Sequence, residues 1–98
     1  MAKSYTVKLK GAEQVVYTSA VIGYRNLALQ NNIDDSIPSR LLEKADDSKI
    51  KLSELELKHL MKAVQLHRNS LLENGDDTTS ADSFLKMLLS IKQPDRGR

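Results

Sequence analysis

The chain has no cysteine, no tryptophan and few aromatic side chains, three tyrosines and one phenylalanine among 98 residues. The absence of cysteine excludes disulfides, thiolate metal sites and cysteine nucleophiles. No apolar run approaches the roughly 18 residues of a membrane-spanning helix, and the first twenty residues contain no run typical of a signal peptide. We therefore expect a cytoplasmic protein that is stabilised by packing alone and does not enter a membrane.

Glycine is also scarce, and the four glycines, at positions 11, 23, 75 and 97, are isolated from one another. A phosphate-binding loop needs clustered glycines, and the chain has no Gly-x-Ser-x-Gly nucleophile elbow either. A chain of this length seldom encloses a deep substrate pocket. The sequence thus predicts a protein that is not an enzyme, uses no cofactor and takes no small-molecule substrate.

Positive charge is only slightly in excess, with 15 Lys and Arg against 13 Asp and Glu, a net charge of +2 at pH 7. Proteins that bind nucleic acid usually concentrate positive charge on one face, whereas here the two signs are mixed along the chain. Nucleic-acid binding is therefore the disfavoured alternative. Its support is a set of basic residues before and along the third helix and in the tail: Lys49, Lys51, Lys58, Lys62, Lys92, Arg96 and Arg98.

The N-terminal region predicts a strand followed by a long helix. Tyr5, Val7 and Leu9 alternate with polar residues up to Gly11, which is typical of a strand with one wet face. Residues 12–30 contain many strand-favouring types, but nineteen residues exceed an ordinary strand, so a helix is favoured over a strand. Its main apolar stripe has helical spacing: Val16, Tyr17, Ala20, Val21, Tyr24, Leu27 and Ala28.

A second apolar line on the same helix has a spacing of seven residues, Val15, Ile22 and Leu29. A helix that is apolar nearly all round is buried or lies at a contact with another chain. We therefore expect helix 12–30 to be central in the fold or to lie at a subunit contact.

The middle of the chain predicts a link, a short helix and a short strand. Residues 31–36 are turn-forming and capping types, and Pro38 is tolerated in the first turn of a helix from Ile37 to about Ala45. Residues 49–52 alternate again, which predicts a strand that pairs with residues 5–9.

The C-terminal half predicts an antiparallel helical hairpin. Ser53 and Glu56 form a capping box inside a staple of Leu52 on Leu57, so a helix of about twenty residues begins at Ser53 and ends at Asn74–Gly75. A final helix, capped by Thr79 or Ser80, repeats the helical template and is halted by Gln93–Pro94. The fold class is therefore α+β and mostly α-helical, in one domain over residues 1–93 with a flexible tail at 94–98.

No motif for metal binding or catalysis is present. His59 and His67 are eight residues apart, and no third ligand follows at helical spacing, so surface histidines are favoured over metal ligands. The aspartate pairs at 34–35, 46–47 and 76–77 lie in predicted turns and lack the ligand pattern of a calcium loop. We expect no metal site.

The long helix after Ser53 has one feature that breaks its pattern: Arg68 lies in the middle of the apolar stripe. Either Arg68 reaches the edge of the core, meeting Asp82 or another carboxylate, or this end of the stripe is exposed and Arg68 pairs with another chain. The helix also carries a second line roughly opposite the first. The predicted partner-binding residues are Arg68, His67, Leu71 and Leu72, with Leu55 and Leu66 on the other side.

A strand that ends in Gly-Ala-Glu, a helix, and a capped hairpin broken by Glu-Asn-Gly-Asp resemble the small uncharacterised helical proteins of bacteria and their phages. The resemblance implies a cytoplasmic adaptor, regulator or inhibitor that binds a host or phage protein. From the apolar helix faces we expect a protein–protein interaction module that forms a homo-oligomer. The alternative is a nucleic-acid-binding regulatory protein that uses the lysine-rich helix face and the basic tail.

Overall fold

The computed structural model of the protein describes residues 4–92 and confirms the mostly helical α+β class. In chain order the elements are β1 (Ser4–Lys8), α1 (Ala12–Gln30), α2 (Ser36–Glu43), β2 (Lys49–Ser53), α3 (Glu54–Glu73) and α4 (Thr79–Lys92). The predicted stop at Gln93–Pro94 and the predicted tail at 94–98 lie outside the described residues.

The two strands form an antiparallel pair, as the alternating patterns predict. Val7 lies opposite Ile50 and Tyr5 opposite Leu52, which directs these side chains to the helices. The ladder ends earlier than the alternation in the sequence, at Lys8, but Leu9 N–H still donates to the Ser48 carbonyl at 2.7 Å. The other face of the sheet is exposed to solvent because polar residues occupy the intervening positions.

Residues 12–30 form helix α1, so the competing strand interpretation is wrong. Helix α1 contacts α2, α3 and α4 and is central in the fold, as predicted. Tyr17 is fully buried, and its hydroxyl donates to the Leu41 carbonyl of α2. Gln14 Nε2 donates to the Ala45 carbonyl at 2.8 Å, so two polar bonds fix α2 and the turn that follows it against α1. Helix α2 is shorter than predicted because its last turn closes through bonds of the i to i+3 type.

The capping box at the start of α3 is present with both of its bonds. Glu56 N–H donates to Ser53 Oγ at 3.2 Å, and Ser53 N–H donates to Glu56 Oε1 at 2.9 Å. The Glu56 carboxylate also lies 3.7 Å from both Arg40 Nε and Lys44 Nζ. The same carboxylate thus caps α3 and connects α2 to it.

Both long helices end in a residue with left-handed backbone. At the end of α3, Gly75 has φ +76°, and the N–H of Asp76 donates to the Leu71 carbonyl at 2.8 Å, which is a Schellman motif. At the end of α1, Asn32 has φ +56° and Ile33 N–H donates to the Ala28 carbonyl at 2.8 Å, which is the same motif. The sequence predicts the end of α3 from Gly75, whereas for the end of α1 it predicts only a turn.

Helix α4 packs against α3 and completes the hairpin. Its cap differs by one residue from the prediction: the Thr78 carbonyl accepts from Asp82 N–H at 2.8 Å, so Thr78, rather than Thr79 or Ser80, is the capping residue. The Asp77 carboxylate adds a bond from Thr79 N–H at 3.0 Å.

One hydrophobic cluster joins all six elements. Its two largest fully buried side chains are Tyr17 of α1 and Phe84 of α4. The rest come from every element of the fold: Val7, Leu9, Val16, Ala20, Val21, Leu41, Ala45, Ile50, Leu52, Leu57, Leu60, Ala63, Val64, Ala81 and Leu88. Because every element contributes to the same core, the helix faces that remain outside it define the surface available for contacts.

Candidate interaction surface

The outer face of α1, which we define as its solvent-exposed side along Val15, Ser19, Ile22, Asn26 and Leu29, is free of charge. None of the exposed residues of α1 is an acid or a base. The two charged residues of the helix are half-buried and already bonded. Glu13 accepts from Lys10 N–H at 3.3 Å, and Arg25 Nε donates to Ser39 Oγ at 3.1 Å and lies 3.4 Å from the Asp35 carboxylate.

The seven-residue line on this face is exposed along its length. Val15 retains 66% of its accessible surface, Ile22 43% and Leu29 49%. At 1.5 Å per residue the line extends for about 21 Å. A single exposed apolar residue is ordinary, but a straight line of three is typical of a helix-packing seam. The line predicted from the sequence is therefore a surface feature of a helix whose other side is buried.

A groove runs between α1 and α3, next to the outer face of α1. It consists of two adjoining cavities, of about 300 and about 410 Å³, which share the side chains of Tyr24, Leu27 and Leu66. The first cavity is lined further by Ser19, Ala20, Gly23, Ala63, His67 and Ser70. The second is lined further by Ala28, Ile33, Asp34, Ile37, Pro38, His59 and Lys62. We call the two cavities together the α1–α3 groove.

A hydrogen bond crosses the α1–α3 groove between its two walls. Tyr24 Oη lies 2.8 Å from His59 Nδ1, and the two rings are tilted by 55°. Burial raises the pKa of the Tyr24 hydroxyl, so this group keeps its proton. The bond fixes Tyr24 at the junction of the two cavities.

The six predicted partner-binding residues do not form one surface. Leu66 and His67 line the α1–α3 groove. Leu55 is 53% exposed and lies one turn before His59 on the same side of α3, outside the lining. Leu71 packs against the core, whereas Leu72 is 58% exposed.

Arg68 has its partner within the chain. Its Nε donates to the carboxylate of Asp82 on α4, which also accepts from Thr78 Oγ1 at 2.9 Å. The bonds from Thr78 and Arg68 hold the pKa of the Asp82 carboxyl below its usual range. The interpretation that Arg68 reaches the edge of the core and meets Asp82 is thus confirmed, and the pattern break no longer points to an outside partner. The pair directs Arg68 towards α4, whereas His67, the preceding residue, faces α1.

The residues of the α1 wall were not among the predicted partner-binding residues, although helix 12–30 as a whole was expected to be central or to lie at a subunit contact. The stripe in the sequence places Leu27 in the core, but Leu27 is 43% exposed and Gly23 and Ser19 are exposed beside it. The sequence did contain a signal for an uncharged surface on this helix. Only two of the nineteen residues of α1 are charged, whereas 29% of the residues of the whole chain are charged. The spacing of apolar residues alone did not show which of them the neighbouring helices cover.

Acidic and histidine side chains are dispersed over the part of the chain that the structure describes. Residues 4–92 contain no group of three or more such side chains placed to hold a metal ion. The aspartates of two turns serve local bonds instead: Asp34 accepts from Ser36 N–H at 3.0 Å, and Asp77 accepts from Thr79. No helix within these residues has the length and apolar character needed to cross a membrane.

Comparison of the chain with protein-family models, with curated protein sequences and with solved structures finds no match. The features of the chain that bear on its function are therefore the outer face of α1, the α1–α3 groove and the charges around them.

Proposed function

We propose that the protein is a non-enzymatic protein–protein interaction module of the cytoplasm, a small adaptor or regulator, and that two copies associate through the outer face of α1. The observation that supports this most strongly is the exposed line of Val15, Ile22 and Leu29 on a face that has no charge. Water solvates such a face poorly. Burial against a second apolar surface is favourable by about 25 cal/mol for each Å² of apolar surface removed from water.

The outer face of α1 differs in charge from the exposed side of α3. The exposed side of α3 carries two acids and two lysines, Glu54, Lys58, Lys62 and Glu73. Such charges are typical of a helix face that remains in water. The outer face of α1 instead has the composition of a helix that packs against another helix, with small residues at Ser19 and Gly23 beside the larger apolar ones.

A second copy is the partner that fits this face best. Two charges lie beside the line, Arg25, which pairs with Asp35, and Asp46, which is near Val15. Since the line itself has no charge, two copies bring little repulsion to the contact, whereas a charged partner would lose the hydration of its own charges without compensation. The line is also self-complementary. In a two-fold antiparallel pairing about Ile22, Val15 faces Leu29 of the other copy and Ile22 faces its own counterpart.

The association is expected to be weak because its area is small. One pair of helices of this length buries less than the roughly 1,600 Å² of a standard stable interface. We therefore expect a dissociation constant in the micromolar range, about −7 to −8 kcal/mol.

The test is sedimentation equilibrium of the full chain over a range of concentrations. We expect a reversible monomer–dimer equilibrium that Ile22→Glu abolishes, because the variant places a charge at the centre of the contact. Gln65→Glu, which adds the same charge at an exposed position of α3, should leave the equilibrium unchanged. A strict monomer at several hundred micromolar, or equal weakening by both variants, would exclude this mode of self-association.

The absence of cysteine allows a second readout of the same contact. Ile22→Cys should form a covalent dimer on mild oxidation, because the two-fold axis of the proposed pairing places the two introduced side chains opposite each other, and a disulfide joins Cβ atoms that approach to about 3.5–4.5 Å. In the antiparallel pairing, Val15→Cys should be cross-linked to Leu29→Cys in a mixture, and each variant alone should remain monomeric.

A second candidate function, nucleic-acid binding, is favoured by one feature of the sheet. Lys8 lies directly opposite Lys49 on the exposed face, and Lys51 follows two residues along. Like charges in directly opposed positions destabilise a sheet, and a phosphate between them would relieve the repulsion. We call these three residues the lysine face. Retention on a polyanion matrix that falls steeply with rising salt would support this candidate.

A further inference from the structure

We infer that the α1–α3 groove binds an amphipathic helix of about three turns, supplied by a protein partner, whose apolar side is flanked by acidic residues. The inference rests on the proposed role as an interaction module, but it concerns a surface beside the contact between two copies, with Ser19 and Gly23 at the border of the two. Of the line Val15, Ile22 and Leu29, no residue lines either cavity of the groove.

The walls of the groove select a helix over an extended segment. Both α1 and α3 present side chains to the groove, and their backbone N–H and C=O groups are bonded within the helices. An extended peptide gains its affinity by adding a strand to a sheet edge, which a groove between two helices does not offer. A partner that satisfies its own backbone bonds, as a helix does, is the one that enters an apolar groove without loss.

The dimensions of the groove set the length of the bound helix. Along α3 the lining residues extend from His59 to Ser70, a distance of about 16 Å at 1.5 Å per residue. That length corresponds to three turns. The two adjoining cavities, about 300 and about 410 Å³, lie on either side of Tyr24, so each takes one large apolar side chain of the partner. Such anchors are expected at i and i+4 or i+7.

The charges around the groove favour an acidic partner. Lys62 lines the groove and Lys58 lies one turn before it on α3, and neither forms an ion pair within residues 4–92. The acid among the lining residues, Asp34, already accepts bonds from the N–H and the hydroxyl of Ser36. The α1 wall has no charge. Acidic residues on the side of the bound helix that faces α3 would therefore meet two unpaired lysines, against one acid, Asp34, in the link between α1 and α2.

The experiment is a selection on the immobilised full chain from a displayed library of 14-residue helical peptides. The apolar positions of the library are fixed at i, i+4 and i+7, and the flanking positions vary among Glu, Gln and Lys. We expect enrichment of peptides with Glu on one flank. In a fluorescence anisotropy titration the enriched peptide should lose roughly tenfold in affinity on Leu66→Asp, because that variant removes a central apolar contact.

Charge reversal provides the matched control. Lys62→Glu should shift the preference from Glu-bearing towards Lys-bearing peptides, whereas Lys86→Glu, at an exposed position of α4, should leave it unchanged. Circular dichroism shows whether the Leu66→Asp variant is folded. If Leu66→Asp does not fold, Lys62→Glu still tests the inference. Absence of enrichment, enrichment without a charge preference, or a preference that Lys62→Glu leaves unchanged would overturn the inference.

The outcomes are separable from those of the proposed self-association. Ile22→Glu should bind the selected peptide as the unmodified chain does, even though it no longer forms dimers. If instead Leu66→Asp abolishes the dimer, the groove is occupied by a second copy, and the assignment of an acidic partner helix is wrong.

Discussion

At the scale of single residues, Glu56 connects more of the fold than any other charged group that the structure describes. It is the buried charged residue of that part of the chain, with 8% of its surface exposed, and its carboxylate accepts from Ser53 while lying near Lys44 and Arg40. Burial by itself raises the pKa of the carboxyl. The bond from Ser53 N–H and the charges of Lys44 and Arg40 outweigh burial, so the pKa of Glu56 lies below its usual range.

The lowered pKa predicts how Glu56→Gln depends on pH. A carboxyl whose pKa is lower in the folded state stabilises the fold above its unfolded pKa of about 4.3, and this contribution is lost as the pH falls through the folded value. We expect Glu56→Gln to lower the free energy of unfolding by about 1–2 kcal/mol at pH 7, because a bond to a charged group is replaced by a neutral one.

Urea denaturation at a series of pH values measures this effect. The difference between the unmodified chain and Glu56→Gln should be constant above about pH 5 and should vanish in acid. Glu54→Gln, an exposed change two residues earlier in the same turn, should cost much less. A Glu56→Gln difference that is independent of pH would show that the carboxylate charge does not contribute to stability.

At the scale of the elements, the ends of α1 and α3 give a direct comparison of two stop residues in one motif. Both ends need a left-handed residue, and the chain supplies Asn32 in one case and Gly75 in the other. A Cβ at position 75 would meet no heavy atom within 4 Å. The cost of a side chain there comes from the backbone conformation alone, which disfavours L residues other than asparagine by about 1–2 kcal/mol.

Substitutions at the two stop residues should therefore change the free energy of unfolding in opposite directions. We expect Gly75→Ala to lower the free energy of unfolding by about 1–2 kcal/mol and Asn32→Gly to raise it by about 0.5 kcal/mol. Gly23→Ala is the control, since Gly23 lies within α1 with open space around a Cβ and should gain about 0.5–1 kcal/mol. Urea midpoints at a concentration below that of dimer formation measure all three, and a loss on Asn32→Gly would contradict this account.

At the scale of the whole molecule, the outer face of α1 and the lysine face lie on different elements. The uncharged surface is on α1, and the lysine face is on the sheet. The net charge of +2 gives little long-range attraction for a polyanion. The protein-interaction role therefore predicts weak and shallow binding to nucleic acid, whereas the lysine face alone would allow up to three phosphate contacts.

Elution from a polyanion column at several salt concentrations distinguishes the two roles. We expect the chain to elute near or below about 0.15 M salt, with a shallow dependence of retention on salt. Binding through the lysine face would give a logarithmic slope near −3, since each phosphate contact contributes about −0.9. In that case the double variant Lys8→Gln and Lys49→Gln should reduce the magnitude of the slope by about 2, and nucleic-acid binding would become the favoured function.

Several parts of the fold follow from local signals in the sequence. The capping box of Ser53 and Glu56 fixes the start of α3, and Gly75 fixes its end, because each motif is completed by bonds within a few residues. The alternation in residues 5–9 and 49–52 correctly predicted the strand pair and the side of each strand that faces the core. The length of segment 12–30 correctly favoured a helix although its residue types favour strands.

The candidate site was predictable only in part. Leu66 and His67 of α3 were predicted from the sequence as partner-binding residues. The residues of α1 that line the groove opposite them, Gly23 and Leu27, were not. For Arg68 the sequence left two interpretations, a pair with Asp82 or a contact with another chain, and the structure confirms the first. Helical spacing shows on which side of its own helix a side chain lies. Whether that side faces the core or the solvent depends on residues that are distant in the sequence.

The sequence by itself thus determined the type, order and most of the ends of the elements, because caps, turn residues and periodicity act over a few residues. The tertiary structure alone decided which side of α1 is covered, since this depends on where α2, α3 and α4 pack around it. One apolar stripe of that helix became core, while the line of Val15, Ile22 and Leu29 remained in solvent because no neighbouring helix lies over it.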